Sequence, residues 1–311
     1  MTPLPAASIE LLAGTAHAAL ADAIAQQLGV APLRRTLERT PDGEMLVRVD
    51  ERARSRDVAI VQPTPAPAGE HLLELLLLAD ACWRLGAARI IAAIPYLGYA
   101  RQDRRSRSGE ALGSSVFAGA LASARLQRAL VVDPHNAAVE GGFSCPVENL
   151  TAVPLLARAL ERLLPNDCVI VAPDLGATKL AQHYAQLLGK PMAIVHKQRL
   201  GPSDVVAERV IGEVRGRQPV LVDDMISTGG TIAAATEILL AQGARPPAVV
   251  VATHGLFASP AAERLAALPI AKVLTTDSVP PPADEFPVHE RVSIAPLLAD
   301  ALRSARRHER P

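Results

Sequence analysis

The sequence predicts an α/β protein of two tandem domains, each a mainly parallel sheet flanked by helices. The first observation is size, because a chain of 311 residues, 49% of them hydrophobic, can bury two separate cores. The second is order, because short apolar runs alternate with segments of helical periodicity, which is typical of parallel sheets. We therefore expect one domain at 1–150, a second at 151–290, and a C-terminal helix with a basic tail at 291–311.

In the first domain, apolar and β-branched runs bounded by turn residues predict the strands. These strands are expected at 9–12, 46–49, 58–61, 90–94 and 129–132. Helical periodicity predicts helices from about His17 to Gly29, at 71–85 and at 114–124. The polar stretch at 96–110 is expected to be a loop.

The second domain repeats this alternation. Its strands are predicted at 169–171, 192–195, 219–222, 249–252 and 272–275, and its helices at 177–188, 232–242 and 261–267. Ligands of parallel sheets collect at the carboxyl ends of the strands. Polar residues that directly follow these strands are therefore the first candidates for a functional site.

The stretch at 220–231 is the strongest such candidate. The carboxylates of Asp223 and Asp224 are expected just outside the end of a buried strand, where they suit vicinal sugar hydroxyls or a divalent cation. A turn that opens onto a helix N-terminus follows them. Amides at such a turn, with nearby hydroxyls, suit a phosphate. This turn consists of Ser227, Thr228, Gly229, Gly230 and Thr231.

A weak internal repeat relates the two halves of the chain. A strand, a turn, a long helix, a Gly-Ala segment and an apolar strand occur in the same order from Val58 and from Val220. Gln62 and Pro63 then stand where Asp223 and Asp224 stand in the second half. The repeat predicts one sugar-phosphate site per chain, whereas chance similarity between two α/β units is the alternative.

An arginine-rich segment forms a second constellation. Its four arginines lie within seven residues, after the strand at 90–94, and are Arg101, Arg104, Arg105 and Arg107. Nucleic acid would be one ligand for such a cluster, but aromatic residues make up 3% of the chain and Lys+Arg equals Asp+Glu at 32 each. A polyphosphate ligand fits better. This balance also argues against a membrane-surface binder.

Two further pairs of residues are candidates for chemistry. His135 and Asp174 each follow a predicted strand, so both are expected at the carboxyl-end rim of a sheet. There they can hold a Mg²⁺–nucleotide, although a lone histidine is commonly structural.

Lys197 and Arg199 follow the strand at 192–195 and point the same way in an extended segment. On a loop that closes, they would stabilise a charged transition state. Two ordinary surface cations are the alternative.

Cysteine usage and hydropathy indicate the compartment. The three cysteines have no metal-site spacing, and Cys82 and Cys168 lie in apolar runs that predict buried, reduced thiols. The apolar run at 72–78 is too short to span a bilayer, and the first residues lack a signal-peptide pattern. We expect a cytoplasmic protein.

Taken together, these motifs resemble the ribose-phosphate diphosphokinase (phosphoribosyl pyrophosphate synthetase) family over nearly the whole chain. The resemblance is carried by PYLGYARQD at 95–103, DPH at 133–135, PDLGATK at 173–179, HKQR at 196–199 and DDMISTGGT at 223–231. Phosphoribosyltransferases share only the last of these motifs. The resemblance implies two tandem phosphoribosyltransferase-like domains, of which the first has a degenerate ribose-phosphate loop.

The resemblance implies magnesium-dependent transfer of pyrophosphate from ATP to the C1 hydroxyl of ribose 5-phosphate. Carried over by position, 227–231 would hold the 5-phosphate, and Asp223 with Asp224 the ribose hydroxyls. The ATP-binding residues would be Arg101, Gln102, Asp42 and Glu44, the metal site His135 and Asp174, and the transition-state cations Lys197 and Arg199. ATP and ribose 5-phosphate are the implied partners, with Mg²⁺ as cofactor, no nucleic acid, no membrane, and a homo-oligomeric assembly.

Departures from the family pattern bear on finer properties. Ser227 stands where many members have aspartate, which resembles an archaeal-type subgroup, and Thr40 stands where an aromatic residue is common. The segment at 105–109 lacks the acid and the final arginine of members that ADP inhibits at a separate site. A phosphoribosyltransferase and a catalytically silent regulatory paralogue are the alternatives. The presence of Lys197 and Arg199 favours the enzyme.

Overall fold

The computed structural model describes residues 9–199, 206–282 and 286–307, which form two compact units. The first unit comprises the described residues up to Thr151, together with Ser278–Pro280 and the C-terminal stretch from Ser293. The second comprises Ala152–Asp277 and Pro281–Val292. None of the helices in the described ranges is long and apolar enough to cross a membrane.

The first unit is built on a five-stranded parallel sheet. Its elements, in chain order, are β1 (Glu10–Ala13), α1 (Ala18–Leu28), β2 (Arg35–Arg39), β3 (Met45–Val49), β4 (Asp57–Val61), α2 (Ala68–Leu85), β5 (Arg89–Ile94), α3 (Gly113–Leu121), β6 (Arg128–Val132) and β7 (Val147–Leu150). The strands pair in the order β1-β4-β5-β6-β7, and β2 with β3 forms a separate antiparallel hairpin. The central strands are buried on both faces, as apolar β-branched runs require.

The core of this unit explains the state of Cys82. Its side chain is fully buried in α2, and burial raises the pKa of the thiol to about 12. Cys168 is likewise free and buried, in the second unit. The prediction of two buried, reduced thiols is confirmed.

The second unit contains a seven-stranded sheet. Its elements are α4 (Val153–Glu161), β8 (Cys168–Ala172), α5 (Thr178–Leu188), β9 (Met192–Arg199), β10 (Val206–Ile211), β11 (Gln218–Ile226), α6 (Gly230–Ala241), β12 (Ala248–Gly255), α7 (Ala261–Ala266), β13 (Ile270–Thr276) and β14 (His289–Val292). The order is β10-β9-β8-β11-β12-β13-β14, and β10 pairs antiparallel with β9 while the other neighbouring strands are parallel.

The two sheets share one topology. The order β8-β11-β12-β13-β14 in the second unit repeats β1-β4-β5-β6-β7 in the first, with a hairpin inserted after the first strand of each unit. In the second unit the hairpin β9–β10 joins the main sheet, whereas β2–β3 stays separate. This repetition agrees with the internal sequence repeat and makes Gln62, directly after β4, the counterpart of residues at the end of β11.

The last helix, α8 (Ala295–Arg307), belongs to the first unit. It packs against α1, and its Arg303 donates a hydrogen bond to the carbonyl of Gln27 at the end of that helix. Leu298 and Leu302 are fully buried on its inner face. The predicted C-terminal segment therefore contains a helix that completes the packing of the N-terminal unit.

Two strands run further than their sequences predict. β11 continues to Ile226, so Asp223 and Asp224 lie within the strand and not beyond its end. Main-chain pairing with β12 extends it, since Asp223 is opposite Ala252 and Met225 is opposite His254. β9 similarly continues to Arg199 because β10 pairs with it along its length. Both predicted strand ends were therefore wrong.

Candidate active site

The turn between β11 and α6 forms a cradle for an anion. Gly229 has a left-handed backbone (φ 71°), which favours glycine at this position. The helix begins at Gly230 without a side-chain cap, so the first-turn amides are not taken by a capping side chain. These amides and the helix dipole favour a phosphate. Thr228 and Thr231 are exposed beside them.

Asp223 and Asp224 lie on β11 immediately before this cradle. Both are half-buried, and the Asp224 amide donates to Asp223 Oδ1 at 2.9 Å. Burial is the main cause that raises the pKa of Asp223 to about 8, and the neighbouring Asp224 carboxylate adds to it. The carboxylate of Asp174 raises the pKa further. The rim of this sheet therefore concentrates negative charge that hydroxyl donors or a cation would relieve.

Asp174 follows β8 on the same rim. Its Oδ1 accepts a hydrogen bond from the Ala177 amide at 3.2 Å, which shapes the turn into α5. Within the described ranges, no group of three or more His, Cys, Asp or Glu residues encloses a metal position. Mg²⁺ commonly uses one or two carboxylates, with substrate phosphates and waters as the other ligands. The carboxylates of this rim fit that mode of binding.

The predicted transition-state cations lie on a paired hairpin strand. The main chain of Lys197 pairs with Glu208, and that of Arg199 with Val206, across β9 and β10. The interpretation of this segment as a loop is therefore wrong, because antiparallel pairing extends the strand through both residues. The side chains of Lys197 and Arg199 lie outside the part of the chain that the structure describes.

The first unit holds the predicted nucleotide residues in two places. Arg101 and Gln102 are exposed in the loop after β5. The Gln102 side chain lies against Gly113 at the start of α3, so close that a Cβ added to this glycine would be 2.4 Å from Gln102 Oε1. Asp42 and Glu44 are exposed in the turn between β2 and β3. A hydrogen bond from Thr40 Oγ1 to Asp42 lowers the pKa of that carboxyl group.

Thr40 organises the hairpin turn in a way the sequence did not reveal. Its Oγ1 accepts from the Glu44 amide at 2.9 Å, and its own amide donates to the Glu44 carbonyl at 2.9 Å. Threonine at this position therefore closes the turn that carries Asp42 and Glu44.

His135 lies in the exposed segment after β6, beside the arginine-rich loop. The link between the two segments is a hydrogen bond of 2.6 Å from Asn136 Nδ2 to Asp103 Oδ2. The residue preceding this segment, Asp133, has a left-handed backbone with φ 37°. The structure thus joins the His135 segment to the Arg101 segment within the first unit, through two residues that the sequence analysis did not single out.

In the first unit, the place of the paired acids is taken by buried side chains that hydrogen-bond one another. Gln62 is fully buried, and its Nε2 donates to Glu74 Oε2 at 3.0 Å while its Oε1 accepts from the Ala16 amide at 3.2 Å. Glu74 also accepts from the Thr15 amide at 2.7 Å. Sequence spacing identified Gln62 but missed Glu74, which comes from α2. The amide of Ala16 and that of Thr15 are therefore already satisfied internally.

The second unit, with a glycine turn and paired acids at the carboxyl end of a parallel sheet, defines a protein with a phosphoribosyltransferase-like domain. Consistent with this, residues 148–292 match the family model for the phosphoribosyl transferase domain. Residues 9–124 match the model for the N-terminal domain of ribose phosphate pyrophosphokinase. The chain belongs to the ribose-phosphate pyrophosphokinase family.

Individual relatives support this assignment over most of their lengths. The ribose-phosphate pyrophosphokinase of Gloeobacter violaceus is 38% identical over 296 residues, covering 94% of this chain and 89% of the relative. That of Maricaulis maris is 40% identical over 300 residues, covering 95% and 96%. The crystal structure of phosphoribosylpyrophosphate synthetase from Mycobacterium smegmatis is similar with a TM-score of 0.90 at 38% identity, covering 96% of this chain and 98% of that one.

Proposed function

We propose that this protein transfers the pyrophosphoryl group of ATP to the C1 hydroxyl of ribose 5-phosphate, giving phosphoribosyl pyrophosphate and AMP for nucleotide biosynthesis. The observation that carries the proposal is the cradle at the end of β11, with Asp223 and Asp224 beside it, in a chain of the ribose-phosphate pyrophosphokinase family. In this reaction the C1 oxygen forms a bond to the β-phosphorus. The bond from that phosphorus to the α–β bridging oxygen breaks, and AMP leaves.

Ribose 5-phosphate binds in the second unit. The amides and hydroxyls at 227–231 hold the 5-phosphate at the start of α6, and the two acids accept hydrogen bonds from the ribose hydroxyls. Because Asp223 and Asp224 are half-buried and close together, this end of the site favours hydroxyl donors over a second anion. This arrangement fixes which end of the substrate faces the nucleotide.

ATP is held as its magnesium complex. Arg101 and Gln102, with Asp42 and Glu44 from the hairpin turn, contact the nucleotide, while His135 and Asp174 hold the metal. Bound Mg²⁺ neutralises charge on the phosphate oxygens. Lys197 and Arg199 stabilise negative charge on the transferring group, and alignment with charge placement supplies the acceleration.

The deciding experiment distinguishes the three functions by their products. Purified protein is incubated with Mg²⁺, ATP and ribose 5-phosphate, and the nucleotide product is identified. AMP formed in equal amount to phosphoribosyl pyrophosphate supports the proposal. A phosphoribosyltransferase would instead consume phosphoribosyl pyrophosphate with a base, and a silent regulatory paralogue would form no product.

Three finer assignments complete the proposal. Ser227 in the cradle supports membership of the archaeal-type subgroup. Free cysteines, two of them buried, support a cytoplasmic location. A homo-oligomer is supported by large apolar side chains exposed on the first unit, notably Leu46 at 54%, Leu73 at 47% and Val116 at 67% exposure.

A further inference from the structure

Helix α7 presents a cation to the ribose-phosphate cradle. Arg264 is half-buried on this helix, and its Nη1 donates a hydrogen bond to the carbonyl oxygen of Thr228 in the cradle turn. The same Nη1 lies 3.6 Å from the point where a Cβ would stand on Gly230, the first residue of α6. The guanidinium therefore reaches the main chain that would surround a bound phosphate.

The position of Arg264 is fixed by packing. Leu265, the next residue, is fully buried, and its side chain packs against Gly229. A Cβ added to Gly229 would lie 3.4 Å from Leu265 Cγ. Ala261, one turn earlier, is also buried against this turn. Because α7 contacts the cradle through the Leu265 side chain and the Ala261 Cα, the Arg264 main chain is anchored beside it.

Among the residues that the structure describes, no acid neutralises the charge of Arg264. No carboxylate among the described residues forms an ion pair with it, and its described side-chain hydrogen bond goes to Thr228. A guanidinium carries five N–H donors, so most of its donor capacity is left over. Within the described ranges, a full positive charge is thus held at the cradle by one neutral acceptor.

The hydrogen bond also orients a peptide group. In a trans peptide the C=O and N–H point in opposite directions. Holding the Thr228 carbonyl toward the Arg264 guanidinium consequently turns the Gly229 N–H away from that guanidinium. One contact therefore fixes the direction of the Gly229 N–H and places a positive charge beside the cradle turn.

We propose that Arg264 is a positioning residue for ribose 5-phosphate, which fixes the Thr228–Gly229 peptide and contributes positive charge to the 5-phosphate site. This inference rests on the proposed function and adds a residue from outside the turn. It requires that removing Arg264 weakens binding of the sugar phosphate while the transfer step and ATP binding stay nearly unchanged.

The test compares Arg264→Met, which keeps the apolar stem, with Arg264→Lys, which keeps the charge. A lost hydrogen bond of a charged group corresponds to roughly a ten- to hundredfold loss. We expect KM for ribose 5-phosphate to rise by about that factor in Arg264→Met, with kcat and KM for ATP changed by about twofold or less. Arg264→Lys should recover part of the loss, which a purely structural role of the guanidinium would not predict.

Arg245→Ala is the matched control. Arg245 is in the same unit, next to the start of β12, and pairs with Asp167 at 2.9 Å, so its loss should leave KM for ribose 5-phosphate unchanged. Calorimetric titration of each variant with ribose 5-phosphate, without ATP, gives a readout independent of turnover.

Equal affinity of Arg264→Met and wild type for ribose 5-phosphate would overturn the inference even if wild type forms AMP. Wild type that binds ribose 5-phosphate but forms no AMP would overturn the proposed function and leave the inference standing.

Discussion

Lys197 and Arg199 are the residues that we propose act on the transition state. If they meet charge only as the pyrophosphoryl group transfers, replacement by alanine should reduce kcat far more than substrate affinity. We expect a loss in kcat of about a hundredfold or more for Lys197→Ala and for Arg199→Ala, with KM values nearly unchanged. Steady-state kinetics of both variants provides the measurement. Near-normal turnover in both would contradict the assignment.

Asp223 couples function to stability. Its pKa is raised from 3.8 to about 8, so the folded protein retains a proton that the unfolded chain releases between these values. Stability contributed by the neutral carboxyl group is fully present below about pH 4 and is lost as the pH rises toward 8.

Asp223→Asn removes the loss of stability that comes with ionising this buried carboxyl group. We expect the unliganded variant to melt about 3 °C or more above wild type at pH 8, with little difference at pH 4, although it loses activity. Thermal denaturation at the two pH values, with Asp22→Asn on α1 as an exposed control, checks this. The same gain at both pH values would show that the carboxyl group does not titrate as proposed.

At the scale of elements, the loop between β5 and α3 bears on regulation. The carboxylate of Glu110 accepts hydrogen bonds from the amides of Ser106 and Arg107, at 2.7 and 2.9 Å. Gly109 within this loop has φ +85° and no side-chain donor. An internal acid therefore occupies two main-chain donors of this loop, which reduces the donors left for a separate anion.

We accordingly expect ADP to inhibit only by competition with ATP, and free phosphate not to be required. The measurement is initial rate at varied ATP and ADP, with and without added phosphate. Inhibition that persists at saturating ATP would reveal a second site, as would activity that depends on phosphate.

Sequence patterns predicted the strand and helix alternation but misplaced several ends. Apolar runs identify β8, β11 and β12 because these strands are buried on both faces. The polar ends of β9 and β11 are strands because the main chains of β10 and β12 pair with them. The residues of β9 and β11 themselves do not show that such a partner is present. Short edge strands such as β7 and β14 escaped prediction for the same reason.

The sequence likewise predicted only part of the candidate site. Asp223, Asp224 and the turn after them are consecutive, so spacing alone identified them. Arg264 and Glu74 come from helices distant in sequence and reach their partners only through side-chain hydrogen bonds. No local pattern marks such residues, and only the packing of α7 and α2 places them.

For the whole molecule, the repeated topology bears on stoichiometry. The buried Gln62 and Glu74 fill the counterpart position in the first unit, so only the cradle of the second unit is expected to bind ribose 5-phosphate. Calorimetry should give one site per chain, and the double variant Asp223→Ala/Asp224→Ala should lose most of the binding. Two equivalent sites in wild type would contradict this expectation.

Helix α8 is encoded after the entire second unit, yet it packs on α1 in the first. A chain leaving the ribosome exposes the face of α1 that α8 covers well before α8 has been made. At 5–20 residues per second, translation of the intervening stretch takes roughly 10 s or more. During synthesis the first unit therefore stays incompletely packed while the second is translated, and that face of α1 is accessible to chaperones in the interval.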